Sequence, residues 1–118
     1  EGHRGVVNRI IFLADGNHVG SCSRDATARV WELATGQSRV FAGHGAPVYG
    51  LDVSPDGKYV VTASEDRRIK VWSMETGAVL YNLATQPDAR PLYAVLFAAD
   101  SKAIVWDGFH GIEKVALD

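Results

Sequence analysis

Cysteine is nearly absent. Cys22 is the single one in 118 residues, so no disulfide closes within the chain, packing must hold the fold, and one thiol says little about compartment. Proline is scarce, with four residues beside 12 glycines, which excludes a collagenous or low-complexity chain. Long apolar runs are missing: the longest free of tyrosine, residues 94–99, is six residues, where a membrane-spanning helix needs about 20. Neither sign of charge dominates. Twelve Lys and Arg face 14 Asp and Glu for a net charge of −2, and Arg67, Arg68 and Lys70 form the single local basic cluster. That excludes the basic footprint of a dedicated nucleic-acid binder. What remains is 47% hydrophobic and 22% charged, a globular composition rather than that of a disordered tail, at a length ordinary for one domain.

The chain also repeats itself, and a repeat takes precedence over local readings. Shifted by 41 residues, Gly2-His3 recurs as Gly43-His44, Val7 as Val48, Asp15-Gly16 as Asp56-Gly57, and Val19 as Val60. Ser23 recurs as Ser64, Asp25 as Asp66, Val30-Trp31 as Val71-Trp72, and Thr35-Gly36 as Thr76-Gly77. Twelve of 40 aligned positions are identical without a gap. A third, worn copy fits at an offset of 44, where Pro47, Tyr49, Asp56 and Lys58 meet Pro91, Tyr93, Asp100 and Lys102. The three extra residues fall between Ala84 and Arg90, a loop by its Pro87-Asp88.

Within each copy the apolar residues come in short stretches separated by turn residues, not at helical spacing. The first copy predicts strands over 6–13, 19–23, 28–33 and 38–41, and the second over 48–53, 59–64, 68–73 and 78–83. The third predicts strands over 91–97, 102–106 and 112–117 and lacks its fourth. The fold class is therefore all-β, built from four-stranded antiparallel units.

Such units, with Gly-His early and Trp late, resemble the WD-repeat β-propeller family, strongly over residues 2–83 and weakly over 84–118. The most specific element is a foursome at spacings of 20, 2 and 6: His3, Ser23, Asp25 and Trp31, then His44, Ser64, Asp66 and Trp72. The resemblance implies that each foursome is a structural tetrad. In it the indole N–H reaches the hydroxyl, the hydroxyl the imidazole, and the imidazole the carboxylate, so every polar group finds a partner away from water. The third copy holds Gly108, His110 and Ala116 at the Ser, Asp and Trp positions and so lacks a tetrad. Its Trp106-Asp107 mimics the family's namesake dipeptide but aligns with Thr62-Ala63 in a second strand. Trp106 is expected to pack between units, the alternative being a surface feature formed with Phe109 and His110.

His, Ser and Asp together invite comparison with a hydrolase triad. The constellation occurs twice at equal spacing, lacks a Gly-flanked nucleophile turn and includes a Trp that a triad does not need, so the structural reading is preferred. His3, His18, His44 and His110 show no ligand spacing, so neither a metal nor a cofactor is expected. Cys22, inside a strand, reads as a small buried apolar residue.

The expected organisation is a first blade over 2–42, a second over 43–84 and a degenerate third over 85–118, all in one propeller domain. Closed propellers need about four to eight blades. The expected partners therefore include further blades, from the rest of a longer chain, from other chains or from copies of this one; the start at Glu1 and the missing fourth strand favour an excerpt. The resemblance further implies a non-catalytic scaffold that binds another protein or peptide. The positions it assigns to contact are Val6, Asn8 and Arg24 in the first blade, Pro47, Tyr49 and Glu65 in the second, and Pro91, Tyr93 and Phe109 in the third. Tyr49 and Tyr93 are preferred among these, because tyrosine brings a large apolar area with a polar tip. The alternative function is a regulatory or sensory segment of a larger enzyme, with Arg24, Glu65, Asp88 and Arg90 as its channel charges.

Overall fold

The computed structural model describes residues 3–84, 95–98, 101–108 and 111–116. They form eleven strands and, among the described residues, no helix. The first sheet holds β1 (Val7–Phe12), β2 (His18–Ser23), β3 (Thr27–Glu32) and β4 (Ser38–Ala42), in that spatial order and antiparallel throughout. A second sheet repeats this with β5 (Val48–Val53), β6 (Tyr59–Ser64), β7 (Arg68–Ser73) and β8 (Val79–Ala84). The third holds β9 (Val95–Phe97), β10 (Ala103–Gly108) and β11 (Gly111–Ala116). The start proposed for the third sheet's first strand, residues 91–94, lies outside the described residues.

Turn chemistry explains where strands end. Gly16, Gly36, Gly57 and Gly77 all adopt positive φ, between 71° and 78°, which glycine reaches without steric cost. The β2–β3 and β6–β7 turns need the same geometry but are given Ala26 (φ 74°) and Arg67 (φ 65°), so both turns carry backbone strain.

The sheets stack face to face, and alternation along the strands assigns each face a neighbour. One face of the first sheet presents Cys22, Ala28, Val30 and Phe41 to the second, which answers with Leu51, Val60 and Trp72. Gly20 permits the approach, since a Cβ there would stand 3.0 Å from Leu51 Cδ1. Phe41 and Trp72 meet edge to face at 5.5 Å, a favoured aromatic geometry. The second sheet's other face, Val61, Ala63, Ile69 and Val71, packs on Val95, Phe97 and Ile104 of the third. Trp106 packs against this second cluster from β10, as its alignment predicted. Among the described residues, the middle sheet is covered on both sides and the first on one. Ile10 and Phe12, on the uncovered face, are 65% and 76% exposed, whereas Leu51, the repeat equivalent of Ile10, is fully buried.

Candidate functional site

The side-chain networks follow from the strand register. In the first sheet Trp31 lies opposite Val19, so the nearest hydroxyl on its face is that of Ser21, two residues along β2. Trp31 Nε1–H donates to Ser21 Oγ (2.9 Å), Ser21 Oγ–H to His3 Nε2 (2.7 Å), and His3 Nδ1–H to Asp25 Oδ2 (2.9 Å). The indole can only donate, so the remaining proton positions follow in sequence along the chain. The second sheet repeats it: Trp72 Nε1–H donates to Thr62 Oγ1 (3.0 Å), Thr62 Oγ1–H to His44 Nε2 (2.6 Å), and His44 Nδ1–H to Asp66 Oδ2 (2.9 Å).

This corrects the sequence reading at one member of each foursome. Ser23 and Ser64 are not the bridging hydroxyls. They share the face of Trp but lie two residues further along the strand, about 7 Å beyond the diagonal position, and they organise the turn instead. Ser23 Oγ accepts the Asp25 amide (3.0 Å). Ser64 Oγ accepts the Asp66 amide (3.1 Å) and donates to the carbonyls of Ala46 and Pro47 (3.1 and 2.8 Å). Letter identity pointed to Ser23 and Ser64, whereas the bridging pair, Ser21 and Thr62, shares chemistry but not a letter. The signal that would have found it is the strand pairing of Trp.

The carboxylates at the ends of the chains are well supplied with donors. Asp25 also accepts the amides of Arg4 and Thr27 (both 2.9 Å) and the Thr27 hydroxyl (2.6 Å). Burial pushes its pKa up, but Thr27, Arg4 and His3 outweigh that and hold the carboxyl well below the usual range. Asp66 accepts the amides of Gly45 and Arg68 (3.1 and 2.9 Å). Its pKa is lowered too, burial being overcome by His44 and Gly45. Burial also depresses the imidazole of His44, with Asp66 acting against it. A cation flanks each indole, Arg29 at 5.5 Å and Lys70 at 5.9 Å from the ring centroids. Lys70 Nζ donates to the carbonyl of Gly43 (2.5 Å). Cys22 is fully buried, and burial drives its thiol up to about 12, a structural rather than a reactive cysteine.

Six of the candidate contact residues lie at one end of the first two sheets. The pairing of β1 with β2 skips Asn8, and that of β5 with β6 skips Tyr49, so the first strand of each of these two sheets carries an equivalent bulge at that residue. A bulge re-aims the side chain it releases. Asn8 Nδ2–H donates to the carbonyl of Val48 (2.9 Å) and joins the two sheets. Tyr49 O–H donates to Glu65 Oε1 (2.7 Å). The Arg24 amide donates to Val6 O (2.9 Å) and the Glu65 amide to Pro47 O (3.0 Å). Val6, Arg24 and Glu65 are exposed, while Asn8, Pro47 and Tyr49 are half-buried. Pro91, Tyr93, Phe109, Asp88 and Arg90 lie outside the described residues. No group of three or more His, Cys, Asp or Glu suited to a metal ion occurs among the described residues.

Antiparallel sheets stacked in sequence order, the two four-stranded ones each carrying a Trp–hydroxyl–His–Asp chain, define blades of a β-propeller. The comparisons with known proteins agree. The family model described as WD domain, G-beta repeat matches residues 1–32 and 36–73, and the chain belongs to the WD-repeat family. Among solved structures, the crystal structure of the WD40 beta propeller domain of Doa1 is similar, with a TM-score of 0.81 and 26% identity over 95% of this chain. The chain spans 36% of the length of that one. No curated protein sequence matches it. Propellers of this family typically mediate protein–protein interactions and are typically non-catalytic.

Proposed function

We propose that this chain is a non-catalytic interaction segment of a WD-repeat propeller, and that its partner, a protein or peptide, binds the end of the blades that carries Val6, Asn8, Arg24, Pro47, Tyr49 and Glu65. The observation that carries this reading is the pair of equivalent bulges, which release Asn8 and Tyr49 from their ladders at the same end of adjacent blades. Side chains held on turns of a stiff scaffold suit recognition, and Tyr49 offers an aromatic surface already oriented by Glu65. The uncovered face of the first sheet supports a second contact of another kind. Ile10 and Phe12 await a sheet like the one that covers Leu51, supplied by further blades of a longer chain, by another chain or by a copy of this one.

Mass spectrometry of proteins that copurify with the chain, compared with its Tyr49→Ala and Arg24→Ala variants, tests the first assignment. Both variants are expected to keep the thermal midpoint and lose the same partners. Unfolding of these variants to the extent seen on truncating Trp31 or Trp72 would sink it.

A further inference from the structure

The two ends of the blades differ chemically. In antiparallel meanders, residues 3–6 and 43–47 share one end with the turns at 24–26 and 65–67, and the turns at 13–17, 33–37, 54–58 and 74–78 occupy the other. Those four turns hold Asp15, Asp56 and Glu75 against Lys58, with Glu32 and Arg39 in the strands that flank them, the Arg39 guanidinium lying against Gly77. The first end holds Arg4, Arg24 and Arg67, and Arg68 opens β7 beside them.

Acids stand at the arginine end too, but donors within the chain already engage them. Asp25 takes the His3 ring, the Thr27 hydroxyl and two amides; Asp66 takes the His44 ring and two amides; Glu65 takes the Tyr49 hydroxyl. Arg4 and Arg24 are both exposed and form no ion pair with any described residue. Their loops touch, since a Cβ on Gly5 would lie 3.4 Å from Arg24 Cβ and 3.0 Å from the Asp25 amide. Beside them stands an apolar side chain, Val6 at 62% exposure, and the half-buried Pro47 holds the equivalent position in the second blade.

We propose that this end recognises an acidic peptide, an extended segment whose Asp or Glu carboxylates bond the guanidinium groups of Arg4 and Arg24 while an apolar residue rests against Val6 and Pro47. The proposal rests on the binding face assigned above and adds the chemistry of its partner. A guanidinium fork matches a carboxylate in a two-bond geometry that a neutral partner does not offer. A peptide fits better than a nucleic acid because the whole chain carries −2: a long polyanion meets the acidic end and the negative net charge, whereas a short acidic segment senses the local arginines.

Fluorescence anisotropy on the 118-residue chain tests this, with a labelled peptide of Glu, Leu and Ser, the same peptide with Gln for Glu, and a single-stranded DNA oligonucleotide as probes. The Glu peptide is expected to bind most tightly and to lose affinity as salt shortens the screening length from about 10 Å to about 3 Å. Arg4→Glu and Arg24→Glu are each expected to weaken it about tenfold, with thermal midpoints unchanged because both side chains are exposed. If charge reversal perturbs folding, Arg24→Gln, similar in reach, reads the same contact. Absence of Glu-peptide binding, equal binding of the Gln peptide, or tighter binding of DNA overturns the acidic-peptide assignment. If a peptide binds and Tyr49→Ala weakens it while the arginine variants do not, the face stands and only its charge preference fails. Binding indifferent to Tyr49, Arg4 and Arg24 alike overturns the face itself.

Discussion

The first and second blades are written with the same 41-residue pattern and carry the same hydrogen-bond chain, yet they live in different surroundings. Strand β7 is buried at four successive positions, from Ile69 to Trp72, while its counterpart β3 alternates buried and half-buried. The repeat fixes which groups meet inside a blade, and neighbouring sheets decide how much water that meeting excludes. Trp72 is 2% exposed beneath Phe41, and Trp31 is half-buried on a face with no described sheet against it. An identical motif should therefore contribute more to stability in the second blade than in the first, because an unmade hydrogen bond is costlier where water cannot replace it.

Truncating the indoles gives the largest test of that difference. Trp72→Ala is expected to cost about 3–5 kcal/mol, the range for a large aromatic removed from a packed core, and Trp31→Ala about half as much. Urea denaturation of both variants measures this, and equal losses would break the comparison.

Next come the bridging hydroxyls. Thr62→Val strands the Trp72 indole N–H and His44 Nε2 in a dry interface and should cost about 1–3 kcal/mol, with Ser21→Ala near the bottom of that range. Ser23→Ala, which loses only a turn contact, should cost less than Ser21→Ala. The reverse order between those two serines would restore Ser23 as the bridge.

A smaller effect, of opposite sign, belongs to the strained turns. Ala26→Gly and Arg67→Gly relieve positive φ and should each stabilise the chain by at most about 1 kcal/mol, since glycine also frees the unfolded chain. A fall in the melting temperature of both variants would count against strain there.

The least effect is expected from His44. Its folded pKa is depressed, so the unfolded chain takes up the proton first as pH falls. Stability is then complete above about 6.5 and declines as pH drops through the lowered value. Asp25 and Asp66, also lowered, extend the decline below the ordinary aspartate value of about 3.9. Asp52, raised by burial against the Phe97 amide it accepts at 2.8 Å, works in the opposite sense. Urea midpoints taken from about pH 8 to about pH 4 check this, and a midpoint flat throughout in the wild type but sloping in His44→Gln would contradict it.

Much of this molecule was legible before any coordinate. Alternation and turn residues located all eight strands of the first two blades within about two residues, because Asp-Gly and Thr-Gly mark turns that need positive φ. The alignment of Trp106 with a second strand was likewise readable from the offset. The bridging hydroxyls were not, because a hydrogen bond follows strand register rather than letter identity. Two bulges move β1 and β5 by one residue, and no periodicity announces them. The cations beside the indoles are hidden for a related reason: Arg29 and Lys70 are different letters at one repeat position.

By itself the sequence determined the repeat, the all-β class, the His, Asp and Trp of each network and the place of most turns, since these depend on spacing along one chain. Tertiary structure decided which hydroxyl completes each network, which copy of the motif the described sheets keep dry, and that Asn8, Tyr49 and the arginine loops share one end. Those outcomes depend on how sheets stack, and stacking joins residues far apart in the chain, through distances that no local spacing encodes.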